Sequence, residues 1–170
     1  MTQSQQTIHQ LLATLPQTGR VKWIGLRPAR KATMDEVKTV EAVCQNGLNG
    51  DRYSGRSGKR EITLVQHEHL AVIASLLGLA ECPPKLLRRN ISVSGINLLS
   101  LKGKHFKVGN STLEYTGLCH PCSFMETTFG AGGYNAVRGH GGITARVISN
   151  GSISLNDSVY FDKSINNDLD

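Results

Sequence analysis

A chain of 170 residues with 39% hydrophobic and 19% charged side chains can bury a core without staples, and this composition excludes a disordered or collagen-like chain. Lys and Arg number 19 against 13 Asp and Glu, leaving a formal net charge of +6, which favours anionic partners. Aromatic residues make up only 5%, and no basic run is interleaved with them; single-stranded nucleic-acid binders need such stacking platforms, so that class is disfavoured.

Residues 1–18 are expected to form a short helix or a loose arm. Ile8, Leu11, Leu12 and Leu15 sit at helical spacing and Pro16 closes the segment. From residue 19 to residue 163 the pattern is that of one domain, followed by a tail, 164–170, expected to be disordered. Residues 21–26 read as a strand broken by Arg27-Pro28, and 37–43 as a second, with imperfect alternation. Gly47-Leu48-Asn49-Gly50-Asp51 is a turn by composition. A strand over 60–65 leads into a helix over 66–77, with Leu70, Ile73, Ala74 and Leu77 on one face and Gly78 as its stop. Pro83-Pro84 imposes extended chain, 85–87 a turn and 90–93 a strand. Short strands are expected at 106–108, 113–116, 144–148, 152–155 and 158–161, most bounded by Gly, Asn or Asp. Such a series suggests a sandwich or a barrel. Closure removes exposed edges, so the expected fold is mainly β, a closed barrel with a few peripheral helices.

Residues 1–19 carry no signal-peptide pattern and no apolar run approaches a membrane span. The expected location is the cytoplasm, where thiols stay reduced. A cysteine pair there points to redox or metal chemistry rather than a structural disulfide. Cys44 and Cys82 are isolated, but Leu118-Cys119-His120-Pro121-Cys122 sets two thiols three positions apart. Structural zinc needs four ligands, and no second cysteine pair supplies them. A thioredoxin-like role needs an α/β context; here a strand precedes and glycine-rich coil follows. Free cysteines also simply pack in cores. His120, Arg138 and His140 weigh against that, since nearby positive groups raise the thiolate fraction that binds soft metals.

In Leu87-Arg88-Arg89-Asn90, a strand would point Arg88 and Asn90 to one face. Either the pair holds a planar ligand or the segment is a solvated basic edge, and both readings stand. Arg27-Pro28-Ala29-Arg30-Lys31 and Gly50-Asp51-Arg52-Tyr53 put further cations beside turns, where anion sites form; Asp51 and Arg52 equally make a surface ion pair. Residues 130–142 are dense in glycine, with no phosphate-loop or dinucleotide fingerprint, and read as a flexible loop.

Taken together, Gly50-Asp51-Arg52 and residues 60–66, 88–97, 99–103, 116–122 and 139–147 resemble the MOSC (molybdenum cofactor sulfurase C-terminal) family. The resemblance runs in order over about residues 20–162, in a stand-alone bacterial-type form without the aminotransferase-like sulfurase domain. It implies a closed β-barrel whose cleft holds the molybdenum cofactor (molybdopterin). In related amidoxime-reducing proteins the second cysteine of a Cys-x-x-Cys stretch binds the metal. That position is Cys122, with Cys119 and His120 beside it as further catalytic candidates. An Arg-x-Asn stretch maps Arg88 and Asn90 to the cofactor. Arg30, Lys31 and Arg52 map to the pterin phosphate, and Arg138 and His140 complete the cofactor-binding candidates. Arg89 stands where those relatives often carry Pro, and the glycine-rich loops look like a different branch.

The implied activity is a molybdenum-dependent oxidoreductase that reduces small N-hydroxylated or N-oxide compounds and takes electrons from a separate donor protein. The alternative is a sulfur-transfer or cofactor-carrier module, with a persulfide on Cys122, Cys119 resolving it and a cysteine desulfurase as partner. Pyridoxal phosphate attaches to the family only through the fused sulfurase; no segment here argues for it. Neither nucleic acid nor membrane is an expected partner.

Overall fold

The computed structural model describes residues 6–53, 55 and 57–166. Alternation shapes the first strand. In β1 (Thr18–Leu26), Gly19 and Val21 are buried between exposed Thr18, Arg20 and Lys22, and Trp23, Ile24 and Gly25 are then buried in succession. Next come β2 (Asp35–Glu36), β3 (Thr39–Val43) and β4 (Gly47–Leu48). All five residues of β5 (Ile62–Gln66) are buried. It pairs in parallel with β6 (Ile91–Ser94), Leu64 opposite Ile91. A parallel pair needs a crossover, supplied by α2 (His67–Leu77) and α3 (Pro84–Leu87). Gly78 caps α2 in the left-handed conformation, the stop expected of it.

The second half contributes β7 (His105–Val108), β8 (Ser111–Leu118), β9 (Ile143–Ser149), β10 (Gly151–Ser154) and β11 (Ser158–Phe161). The order β1-β6-β5-β9-β8-β7-β11 returns to β1, where Gly19 faces Val159. Seven strands therefore close a mixed β-barrel. β2 attaches to β1, and β10-β3-β4 form a separate ribbon. Ile24, Leu64, Ile91, Phe106 and Leu113 fill the interior at 0% exposure, each contributing about 1.5–3 kcal/mol by burial.

Two elements occupy the stretch expected to be coil: α4 (Ser123–Phe129) and α5 (Gly133–Val137). Met125 and Val137 from them join Val65, Ile73 and Leu87 in a second apolar cluster outside the barrel. The Glu126 carboxylate accepts from the Gly132 and Tyr134 amides at 2.8 Å each, tying α4 to α5. Residues 130–142 are thus a folded helical corner.

At the N-terminus, α1 (Ile8–Leu12) starts with a reciprocal Thr7–Gln10 cap and buries no residue; residues 1–5 of the expected arm lie outside the described residues. At the other end, Lys163–Ile165 forms a 3-10 turn. Asn166 accepts from the His105 amide at 2.7 Å and donates to its carbonyl at 2.9 Å, so 164–166 are fixed to β7. Residues 167–170 of the expected tail lie outside the described residues. No helix among the described residues is long and apolar enough to cross a membrane.

Candidate functional site

The site forms where β8 leaves the barrel. The Cys119 amide donates to the Gly142 carbonyl at 2.8 Å, prolonging the β8–β9 ladder by one bond. Cys119 is 2% exposed, and an Arg60 Nη2 lies 3.5 Å from its sulfur. Three residues on, Cys122 occupies the N-cap of α4 in extended conformation, and its side chain makes no capping bond. The thiol is exposed.

The loop between the two cysteines is held from beneath by Arg89, 7% exposed. Its Nε donates to the Gly141 carbonyl and its Nη1 to that of Leu87, both at 2.7 Å. Its Nη2 reaches the carbonyls of Cys119 at 3.3 Å and His120 at 3.5 Å. Burial lowers the pKa of this guanidinium; Cys119 opposes the shift and Arg60 adds to it.

Cys122 opens into a cleft of about 420 Å³ lined by Arg27, Arg30, Lys31, Arg52, Arg60, Arg88 and Arg89, with Leu87, Ser123, Phe124 and Met125 completing much of the wall. Among the described residues no carboxylate lines it. Among the described residues the one carboxylate paired with any of these cations is Asp51, whose Oδ2 is 2.5 Å from Arg27 Nη2. Asp51 also accepts from the Arg27 amide at 2.6 Å, which fixes the end of β1. Arg88 donates to the carbonyls of Ala32 at 2.5 Å and Ala29 at 3.5 Å. Burial lowers its pKa, Arg27 and Arg52 push the same way, and Asp51 pushes back. Cations crowded this closely repel one another, and an anion placed among them relieves that repulsion.

Of the residues singled out from sequence, Cys122, Arg30, Lys31, Arg52 and Arg88 share the cleft. Asn90 does not. It is 0% exposed; its side chain accepts from the Thr63 amide at 3.1 Å and from Arg27 Nη2 at 3.3 Å, and donates to the Gly25 carbonyl at 3.2 Å. It bolts β1 to β5 behind the cleft. The expected common face for Arg88 and Asn90 is corrected: Arg88 is the left-handed C-cap of α3 (φ 54°), and the strand begins only at Ile91. Cys119 lies behind the thiol loop, and His120 is exposed outside the cleft lining. Arg138 is the exposed C-cap of α5.

Arg27 was read only as one of the cations beside a turn, and Arg60 and Arg89 were not assigned to the cofactor. Arg27 and Arg60 had a readable signal, cations just after and just before strands. Nothing in the sequence marks Arg89 as buried.

His140 faces another neighbour. Its ring meets His69 of α2 edge-on at 4.9 Å, and its Nδ1 is buried without a partner among the described residues. Burial lowers the His69 pKa below the ordinary 6.5, His140 adds to the shift, and Glu68 opposes it. The unfolded chain then binds this proton more readily than the folded one, so stability present above the unfolded pKa is lost as pH falls through and below it. Melting temperatures followed from about pH 7 to pH 5 should decline more steeply for wild type than for His69→Gln; equal slopes would refute this.

A closed mixed barrel carrying an exposed thiol at a cation-lined cleft is the class of protein defined here. The MOSC domain family matches residues 47–160, well over half the chain, and the protein belongs to that family. Among solved structures, the YuaD protein of Bacillus subtilis superposes with a TM-score of 0.74 at 19% identity, covering 86% of this chain and 97% of that one. YiiM of Geobacillus stearothermophilus gives 0.67 at 13% identity (85% and 75% covered), and YiiM of Escherichia coli 0.63 at 18% (85% and 70%). At these identities the likeness is one of fold. No curated protein matches the chain.

Proposed function

We propose that this MOSC protein binds a phosphorylated pterin molybdenum cofactor in the 420 Å³ cleft and reduces small N-hydroxylated or N-oxide compounds there, with Cys122 as the metal ligand. The observation that carries the reading is one exposed thiol opening into a cleft lined by six arginines and a lysine, with no lining carboxylate among the described residues. The donor set fits the group. A thiolate is a soft ligand suited to a thiophilic metal, and guanidinium forks match phosphate oxygens. When bound, the cofactor supplies the redox chemistry.

The chain's own residues do the rest. Arg30, Lys31, Arg52 and Arg60 neutralise and orient the anion, and their field draws it in. Arg27 is pinned by Asp51 and Asn90, which keeps its guanidinium in one place. Arg88 ties the 29–32 loop down, and Arg89 fixes the loop that presents the thiol. Electrons come from a separate donor protein.

The test is expression in a host that makes the cofactor, with molybdenum and pterin quantified in freshly purified protein. Wild type should hold both, and Cys122→Ala, with unchanged circular dichroism, should lose most of its metal. Wild type devoid of both, or a variant as metal-rich as wild type, sinks the proposal. A second reading draws on the contact between Arg60 and Cys119, which keeps a second thiol poised beneath the cysteine loop. In that reading the Cys122 thiolate takes the sulfane sulfur of a cysteine desulfurase persulfide, whose own cysteine leaves as thiolate. Cys119 then attacks the Cys122 sulfur, releasing hydrosulfide and leaving a disulfide for an external thiol to reduce. A labile extra sulfur on Cys122 by mass spectrometry, without bound metal, selects this alternative.

A further inference from the structure

Beside the Cys122 cleft opens a second cavity of about 220 Å³, and Lys31, Arg88 and Phe124 line both. The partition is fixed. The Arg88 guanidinium is committed to the Ala29 and Ala32 carbonyls, and its carbon sits 5.7 Å from the centre of the Phe124 ring. Its backbone is also unusual: Lys31 (φ 63°) and Arg88 (φ 54°) are two of four non-glycine residues with positive φ among the described residues.

The lining of the smaller cavity has two characters. Met34, Leu86 and Phe124 line it with apolar side chains beside the exposed Lys85, and Lys31 stands at the border it shares with the Cys122 cleft. Among the described residues no carboxylate lines it, and neither lysine belongs to an ion pair. Its volume is below the range of drug-sized pockets, so it admits only a compact group. An apolar body takes the carbon surface, and a carboxylate takes the Lys85 ammonium group.

We propose that this cavity is a subsite for a small carboxylic acid with an aromatic or short apolar body. Resting on the reductase reading above, that molecule is the substrate: its carboxylate meets Lys85, and its far end extends past the Arg88–Phe124 partition towards Cys122. The substrates are then anionic N-hydroxylated or N-oxide compounds rather than neutral ones.

Benzoate is the probe, titrated onto the full chain and followed by ligand-observed NMR. Saturable binding is expected. It should weaken about tenfold, the equivalent of one lost charge contact, for benzyl alcohol in place of benzoate and for Lys85→Glu, and recover in Lys85→Arg. Lys85 is exposed and lines the smaller cavity but not the Cys122 cleft, so its variants leave that cleft intact. Pyrophosphate, suited to the larger cleft, should not displace benzoate. Absence of saturable binding, wild-type affinity in Lys85→Glu, or displacement by pyrophosphate overturns the subsite. None of these readings needs metal or pterin. Protein that binds benzoate as described but never holds molybdenum supports the carboxylate site and sinks only the cofactor reading.

Discussion

Replacing Arg89 by Met should lower the stability of the fold by about 3 kcal/mol, a fall in melting temperature of roughly 6–12 °C for a domain of this size. Met is of similar length and apolar, so packing is largely kept and the lost donors dominate. Two bonds decide the magnitude, those to the Gly141 and Leu87 carbonyls at 2.7 Å. Each buried carbonyl left without a partner costs about 1–3 kcal/mol. Against this stands a gain: the variant no longer has to desolvate a cation beside Arg60 and Arg27, which disfavour its charge. The carbonyls stay behind whatever replaces the guanidinium, so loss exceeds gain. The same change frees the loop between Cys119 and Cys122. Cys119, 2% exposed, should become reactive towards a thiol reagent under native conditions. Arg89→Lys, which keeps one cation and can reach one or two of the carbonyls, should fall in between. A melting temperature within about 2 °C of wild type, with Cys119 still silent, would mean that the loop is held by something else.

That arginine also marks the edge of what sequence reveals. Residues 21–26 of β1 were legible as a short apolar run ended by Arg27-Pro28, whereas its start at Thr18, where exposed and buried residues alternate, was not. β5 carries no alternation because it is buried on both faces, under the helices of its own crossover; length and the following helix made it readable. The helices α4 and α5 were not legible. They span seven and five residues, too short to hold by propensity alone, and exist because Met125 and Val137 pack against Ile73 and Leu87 and because Glu126 bonds forward to Gly132 and Tyr134.

The candidate site divides along the same line. Cations next to turns pointed to an anion site, and Arg30, Lys31, Arg52 and Arg88 line the cleft beside Cys122. Asn90 misled because residue type was read without burial. Whether an amide faces a ligand or a neighbouring strand depends on where β1 and β5 run, which barrel closure decides. Arg60, 59 residues before Cys119, meets its sulfur only because β5 lies beside β9 and β9 beside β8.

Barrel closure and the thiol loop meet at Gly142, and Gly142→Ala is the substitution expected to be most damaging. Its φ is +87°, and a Cβ there would lie 1.9 Å from the Leu64 carbonyl oxygen and 2.9 Å from the Val65 Cα. Those atoms belong to β5, which cannot retreat: β6 pairs with Leu64 on one side and β9 on the other. The 139–142 loop must move instead. Moving it breaks the bond from the Cys119 amide to the Gly142 carbonyl at 2.8 Å and the Arg89 bond to Gly141 next door. Left-handed strain, a backbone overlap and two lost bonds together exceed about 4 kcal/mol, a large part of a typical domain's stability. Gly78→Ala supplies the control. Gly78 has a similar φ of +66° but nothing within 4 Å of its Cβ position, so it should show only the conformational cost of about 1 kcal/mol. In urea, Gly78→Ala should unfold cooperatively at a slightly lower midpoint, while Gly142→Ala should be insoluble or lack a native baseline. If both variants unfold at similar midpoints, the loop behind Cys122 does not press on β5, and the tie between the barrel wall and the thiol loses its physical basis.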